Sequence, residues 1–266
     1  MRQDKMTMLI LSCELFSDLW DAHVKQLEAF WPDREMDTYI VTDAEHPVEF
    51  ERVKVMATGA GLEFSERLAI ALDAIKTEYV FITLDDYFLR KPVSNETIDG
   101  LVRMMDEESL DYVRLFKHPT KATAKQLSGC PGVYWIDTTR KYSVNLYSGI
   151  WRTDFMRKTV RDVRDPWRFE VSLARIAKEL GAKCAVSLNR EFVILDVVRK
   201  GKILNKAHRY LKKHDLYHGP RLVQSRWYEF KLGVRTWGGR LMPDCVVNLA
   251  RNFMIKRGHH YFSQEE

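Results

Sequence analysis

No stretch of this sequence approaches the roughly 20 consecutive apolar residues that a helix needs to cross a bilayer, so no membrane span is expected. The opening MTMLILSC (6–13) is too short for a span or a secretory leader and reads better as a first strand. Cysteine is scarce. Cys13, Cys130, Cys184 and Cys245 are scattered, with no CxxC pair and no Cys/His cluster, which argues against disulfides and structural zinc and makes a reducing cytosol the default. The loop after the first strand, SCELFSDLW, has no glycine, although NAD and SAM folds need a glycine-rich turn there. It is also not the glycine-rich, Arg/Lys-bearing loop of a nucleotidyltransferase. A P-loop and a Gly-x-Ser-x-Gly elbow are missing too, as are internal repeats and low-complexity tracts.

What is present begins with an uneven charge. Residues 201–266 carry 13 Lys/Arg against 5 Asp/Glu, whereas the first 200 carry 29 against 32. A mildly acidic body of 1–200 therefore precedes a basic, aromatic extension of 201–266. Apolar runs alternate with helical patterns through the body. TMLILSC (7–13), DTYIVTD (37–43), RVKVMA (52–57) and EYVFITL (78–84) read as strands. Between them, 18–31 sets Leu19, Trp20, His23, Leu27 and Phe30 on one helical stripe, and ERLAIALDAIKT follows Phe64 and Ser65 as staple and cap. EYVFITL lacks polar alternation, as a strand buried on both faces would. This alternation predicts an α/β domain with a mostly parallel sheet flanked by helices. Residues 117–145, rich in Lys, Thr, Gly and Pro, are expected to form a long loop. LYSGIWRTDFM then reads as a strand and turn, and DPWRFEVSLARIAKELG as a helix capped by Asp165, entered at Pro166 and stopped at Gly181.

Two adjacent carboxylates, Asp85 and Asp86, stand where EYVFITL ends. Desolvated carboxylates cost several kcal/mol unless paired. They either cap a turn or, at the carboxyl end of a central strand, hold a divalent cation whose remaining ligands are phosphates and water. Glu170 lies three residues after Trp167 and four before Ala174, on the stripe facing the protein, with Arg168, Arg175 and Glu179 on the other side. It needs a structural partner such as Arg152 or Arg164, or it acts as a general base with a pKa raised by burial.

YVFITLDDYFL, preceded by FSERLAIALDAI and followed by YSGIWRTDF and DPWRFE, resembles the nucleotide-sugar glycosyltransferases of the GT-A (Rossmann-like) fold, in particular bacterial enzymes of surface-polysaccharide synthesis. The likeness covers roughly residues 6–200 and departs from the Asp-x-Asp and triple-Asp forms by placing Leu84 where a first Asp would stand. It implies Asp86 as ligand of Mg²⁺ or Mn²⁺ and Asp85 as a metal or nucleotide contact. By the same likeness Ser12, Glu14 and Asp43 would meet the base and ribose, and Arg67 a phosphate. Asp43 either closes a strand-ending turn before AEHP or accepts from a uracil N–H, and the second reading points to a UDP-sugar donor. The implied activity is inverting transfer from a nucleoside-diphosphate sugar to a hydroxyl of a glycan or lipid-linked acceptor, with Glu170 as base. The competing reading is a catalytically idle relative serving as a binding or scaffold subunit.

The basic end admits three readings: a helical subdomain packed on the sheet, a peripheral membrane contact at the inner face of the cytoplasmic membrane, or a nucleic-acid surface. No DNA- or RNA-binding motif is recognised, so nucleic acid is not expected. Ile203, Ala207, Tyr210 and Leu211 give this end an apolar stripe, and His208 or His218 could reach a metal or diphosphate.

Overall fold

The computed structural model describes residues 5–116 and 123–241. Within them a nine-stranded sheet forms in the order β3-β2-β1-β4-β9-β6-β10-β8-β7. The strands are β1 (Met6–Leu11), β2 (Thr38–Thr42), β3 (Lys54–Ala57), β4 (Tyr79–Leu84), β6 (Tyr112–Arg114), β7 (Thr123–Gln126), β8 (Val133–Ile136), β9 (Gly149–Arg152) and β10 (Cys184–Ser187). β3, β2, β1 and β4 are parallel neighbours, and β9 runs antiparallel to both β4 and β6. The sheet is thus mixed but mainly parallel, flanked by helices as expected. Leu11 pairs with Val41 and with Leu84, so the loops after β1, β2 and β4 leave the sheet at one edge. That edge is where open α/β sheets bind ligands.

One face of the sheet packs on α1 (Trp20–Phe30) and α3 (Asn95–Glu107), through Trp20, Leu27, Ile98 and Met105. The other packs on α2 (Phe64–Ala74), α4 (Thr153–Thr159) and α5 (Pro166–Glu179), through Leu68, Leu72, Phe155, Phe169 and Leu173. β4 is buried along nearly its whole length, which accounts for its unbroken apolar sequence. Gly149 is required by close packing: a Cβ there would lie 2.7 Å from the Val113 carbonyl and 2.8 Å from the Tyr112 ring.

Three details differ from the sequence reading. The expected loop over 117–145 contains β7 and β8, which pair antiparallel and extend the sheet beyond β10, while 117–122 lie outside the described residues. The cap of α2 is Glu63, in a reciprocal box with Glu66, whereas Ser65 turns inward to bond the Asp162 carbonyl at 2.8 Å. β9 runs directly into α4 with no intervening turn.

Beyond β10 the chain returns to the ligand edge. β5 (Tyr87–Leu89) pairs with β11 (Ile194–Asp196), and β12 (Val198–Arg199) with β13 (Lys202–Ile203). The helix α6 (Asn205–Lys213) buries Ala207 and Leu211 against Leu19, Ala22, Phe88 and Val197. Residues of the basic end therefore share an apolar cluster with the loop after β1. A further helix, α7 (Arg226–Leu241), follows, and Cys245, Phe253, Tyr261 and Phe262 lie outside the described residues.

Candidate active site

The site is built where β1, β2 and β4 end. Ser12, the first residue past β1, donates its hydroxyl to Asp85 at 2.5 Å and accepts the Trp20 indole N–H at 2.7 Å. Arg67, in the first turn of α2, reaches across to donate to the Ser12 carbonyl at 3.0 Å, and its guanidinium stands 4.0 Å from Asp43. Asp43 in turn accepts the Glu14 backbone N–H at 2.6 Å and the Thr42 hydroxyl at 3.2 Å. Burial raises the Asp43 carboxyl, but these donors and Arg67 outweigh it and hold the group below its ordinary range. Ser12, Asp43, Arg67 and Asp85 thus meet in one bonded group. Arg67 is committed to this group, and its Nε is buried with no hydrogen-bond partner.

Asp85 and Asp86 form the bend between β4 and β5. Asp85 is buried, and its backbone N–H bonds the Leu11 carbonyl while its own carbonyl accepts from His23 Nδ1 at 2.9 Å. Burial pushes the Asp85 carboxyl up to about 7, against the opposing pull of Ser12, Arg221 and the Asp86 N–H. Asp86 is half-buried, and its carbonyl accepts from Val197. Its carboxyl is raised well above the usual range by burial first, then by the negative charges of Asp85 and Asp196, with Arg199 opposing.

Glu170 comes from the far side of the sheet edge, one turn into α5. Asp165 caps that helix by accepting from Trp167 and Arg168 N–H, and Gly181 at φ 63° ends it, as expected. The two structural partners considered for Glu170 are engaged elsewhere: Arg152 with Glu78 and Asp106, Arg164 with Asp162. Burial raises the Glu170 pKa, partly offset by the Leu146 backbone N–H and by Arg199. Trp167 does not follow the inward stripe. It is 61% exposed, because burial on α5 begins only at Phe169. Trp151 is wholly buried and stacks on Tyr112 at 3.7 Å between ring centres.

Asp86 and Glu170 share electrostatic neighbours. Arg199 acts electrostatically on both. Tyr87, parallel-stacked on Tyr147 at 5.8 Å, has a hydroxyl raised by burial and then by Tyr147, Asp86, Asp196 and Glu170. Tyr147 likewise lies in the field of Glu170, Asp196 and Arg199.

No protein-family model matches the chain, and neither does any curated protein. Solved structures do. Staphylococcus aureus TarS 1–349, in complex with UDP-GlcNAc, superposes with a TM-score of 0.53 at 14% identity, covering 75% of this chain and 60% of that one. The mannosyltransferase PcManGT from Pyrobaculum calidifontis, in complex with GDP-Man and Mn²⁺, gives 0.48 at 13% identity over 74% and 58% of the two chains. The fold is GT-A-like. At such identity the likeness establishes architecture alone, and the chain spans about three fifths of the length of TarS 1–349.

Several residues near this sheet edge escaped sequence reasoning. Asp196 and Arg199 bond through two nitrogens at 2.8 and 2.9 Å, and the only signal was an acid and a base three apart in ILDVVRK. Arg221 donates to both oxygens of Asp18 at 2.7 to 3.0 Å and lies 4.3 Å over the Phe16 ring, pinning the loop after β1. His208 is solvent-exposed on α6, and His218 faces the exposed Asp215, so neither joins the carboxylates.

Among the described residues no group of three or more His, Cys, Asp or Glu forms a metal cage. The donor set nevertheless suits Mg²⁺ or Mn²⁺, which take one or two carboxylates and complete the octahedron with substrate phosphates and water. Asp86 lies in the electrostatic field of Asp85 and Asp196, with Arg199 opposing them.

Proposed function

We propose that the protein is a glycosyltransferase that uses a nucleoside-diphosphate sugar, a UDP-sugar by the Asp43 argument, and a hydroxyl of a glycan or lipid-linked glycan as acceptor. Ser12 and Asp43 receive the nucleoside, Arg67 stands by for a phosphate, and Asp85 ties the end of β4 to Ser12. Asp86, with Asp85 as a further metal or nucleotide contact, would hold Mg²⁺ or Mn²⁺, and such an ion would supply Lewis-acid neutralisation of a leaving diphosphate. Glu170 takes the proton of the acceptor hydroxyl as that oxygen bonds to the anomeric carbon. The bond from that carbon to the diphosphate breaks, and configuration inverts. A carboxyl raised by burial is better matched to this proton transfer at neutral pH than an exposed one.

The observation that supports this reading is that Asp86 and Glu170, 84 positions apart in sequence, both lie within electrostatic reach of Tyr87 and Arg199. The test is Glu170→Gln, which keeps the shape and removes the base. UDP release from donor plus acceptor should fall by about 10²–10⁴-fold, while donor binding measured calorimetrically stays unchanged. Retained turnover in this variant removes Glu170 from the mechanism.

A further inference from the structure

Among the described residues, the basic end leaves one apolar face exposed. Trp227, Phe230 and Val234 follow each other at helical spacing on α7 and are 63%, 61% and 55% exposed. Leu222, just before the helix, is more exposed still. The orientation of this face is fixed by the opposite contacts of the same segment. Glu229 accepts the Asn205 N–H at 2.5 Å, Gln224 bonds the 203–205 segment, and Tyr228 lies under the Lys200 ammonium at 5.7 Å. With Tyr228 and Glu229 turned toward the body, Trp227 and Phe230 stack on each other at 5.6 Å on the outside.

The surroundings of this face are strongly basic. Residues 199–234 hold ten Lys/Arg against Asp215 and Glu229. Lys200, Lys202, Lys206, Arg226 and Lys231 are exposed, and Lys231 sits 5.0 Å over the Trp227 ring. A second copy of the chain would bring two such positive faces together. Exposed Trp and Phe flanked by lysines and arginines instead match the boundary between acyl chains and acidic headgroups.

We propose that α7 seats the protein on an anionic lipid bilayer, with Trp227, Phe230 and Val234 entering the headgroup boundary and the surrounding lysines and arginines facing the acidic headgroups. This does not depend on the donor assignment, because nucleotide response is read on the same protein without lipid.

The test is flotation of the full chain with vesicles of phosphatidylcholine alone or mixed with phosphatidylglycerol, at low and high salt. The wild type should bind the mixed vesicles, bind phosphatidylcholine alone poorly, and dissociate as salt screens the headgroups. The double variant Trp227→Ser/Phe230→Ser should bind the mixed vesicles at least about tenfold more weakly, with an unchanged melting temperature. The pair Arg226→Glu/Lys231→Glu removes charge without touching the apolar residues and should weaken binding as well. The proposal is overturned by any of four results: failure of the wild type to bind anionic vesicles, equal binding to both vesicle types, full binding by both variants, or a wild-type dimer that the aromatic variant converts to monomer.

Discussion

Replacing Ser12 by Ala removes one oxygen that holds two elements together. Its hydroxyl donates to the buried Asp85 at 2.5 Å and accepts from the Trp20 indole at 2.7 Å, and Trp20 is itself 1% exposed. Stranding a buried indole N–H costs about 1–3 kcal/mol, and the bond to the Asp85 carboxyl is worth about 0.5–3 kcal/mol according to its charge. The two are not independent, so about 2–4 kcal/mol is the reasonable total. At about 2–4 °C per kcal/mol for a chain of this size, the melting temperature should fall by roughly 4–16 °C. Urea unfolding followed by tryptophan fluorescence reads the same loss as a lower midpoint at unchanged slope. Ser12→Thr, which keeps a hydroxyl, should recover most of it. Stabilisation by UDP with Mn²⁺ should also fall, since Ser12 links the nucleoside contacts to the end of β4. A Ser12→Ala protein less than about 1 kcal/mol weaker than wild type refutes the idea that this oxygen joins the two.

Two further outcomes follow from neighbouring contacts. Arg221→Ala breaks the paired bonds to Asp18 that hold the loop after β1, a largely shielded ion pair, so stability should drop by about 2 kcal/mol and nucleotide affinity should weaken with it; an unaltered nucleotide affinity would sever the link between this pair and the site. His23 is buried and neutral, donating from Nδ1 to the Asp85 carbonyl, and burial lowers its pKa from 6.5 to about 4. Between those values the unfolded chain binds the extra proton, so this contribution is present above pH 6.5 and is lost as pH falls toward about 4. The loss is at most about 3 kcal/mol. His23→Gln, which keeps a donor, should flatten the acid limb of the stability profile, and an identical limb in the variant contradicts the assignment.

Much of the scaffold was legible because its signals are local. Asp165, Pro166 and Gly181 mark both ends of α5, and the unbroken apolar run of β4 announced a central strand. Asp85, Asp86 and Glu170 stood out because carboxylates at a strand end and on a helix's inward stripe need an explanation. What was hidden depends on partners far away in sequence. Arg221 and Asp18 are 203 positions apart, and no periodicity links them. Asp196 and Arg199 look like an ordinary surface pair until β11 lays them beside Asp86. The β7–β8 hairpin was masked by the Lys, Thr, Gly and Pro that surround it, since its strands lie at the edge of the sheet and are not uniformly apolar. Trp167 was misassigned because helical spacing tells which side of a helix a residue occupies, not where along the helix the core begins.

The claim on which the rest depends is that the edge carrying Ser12, Asp43, Asp85 and Asp86 binds a nucleoside diphosphate together with a divalent cation. Thermal unfolding with UDP, GDP, CDP, CMP and dTDP, each with and without Mn²⁺, tests it directly. One of these nucleotides, UDP on the present reading, should stabilise the protein by about 2–3 kcal/mol at roughly 100-fold saturation. That gain should require Mn²⁺ and disappear in Asp86→Asn. If no nucleotide raises the melting temperature, or if Asp86→Asn responds like the wild type, the account is wrong.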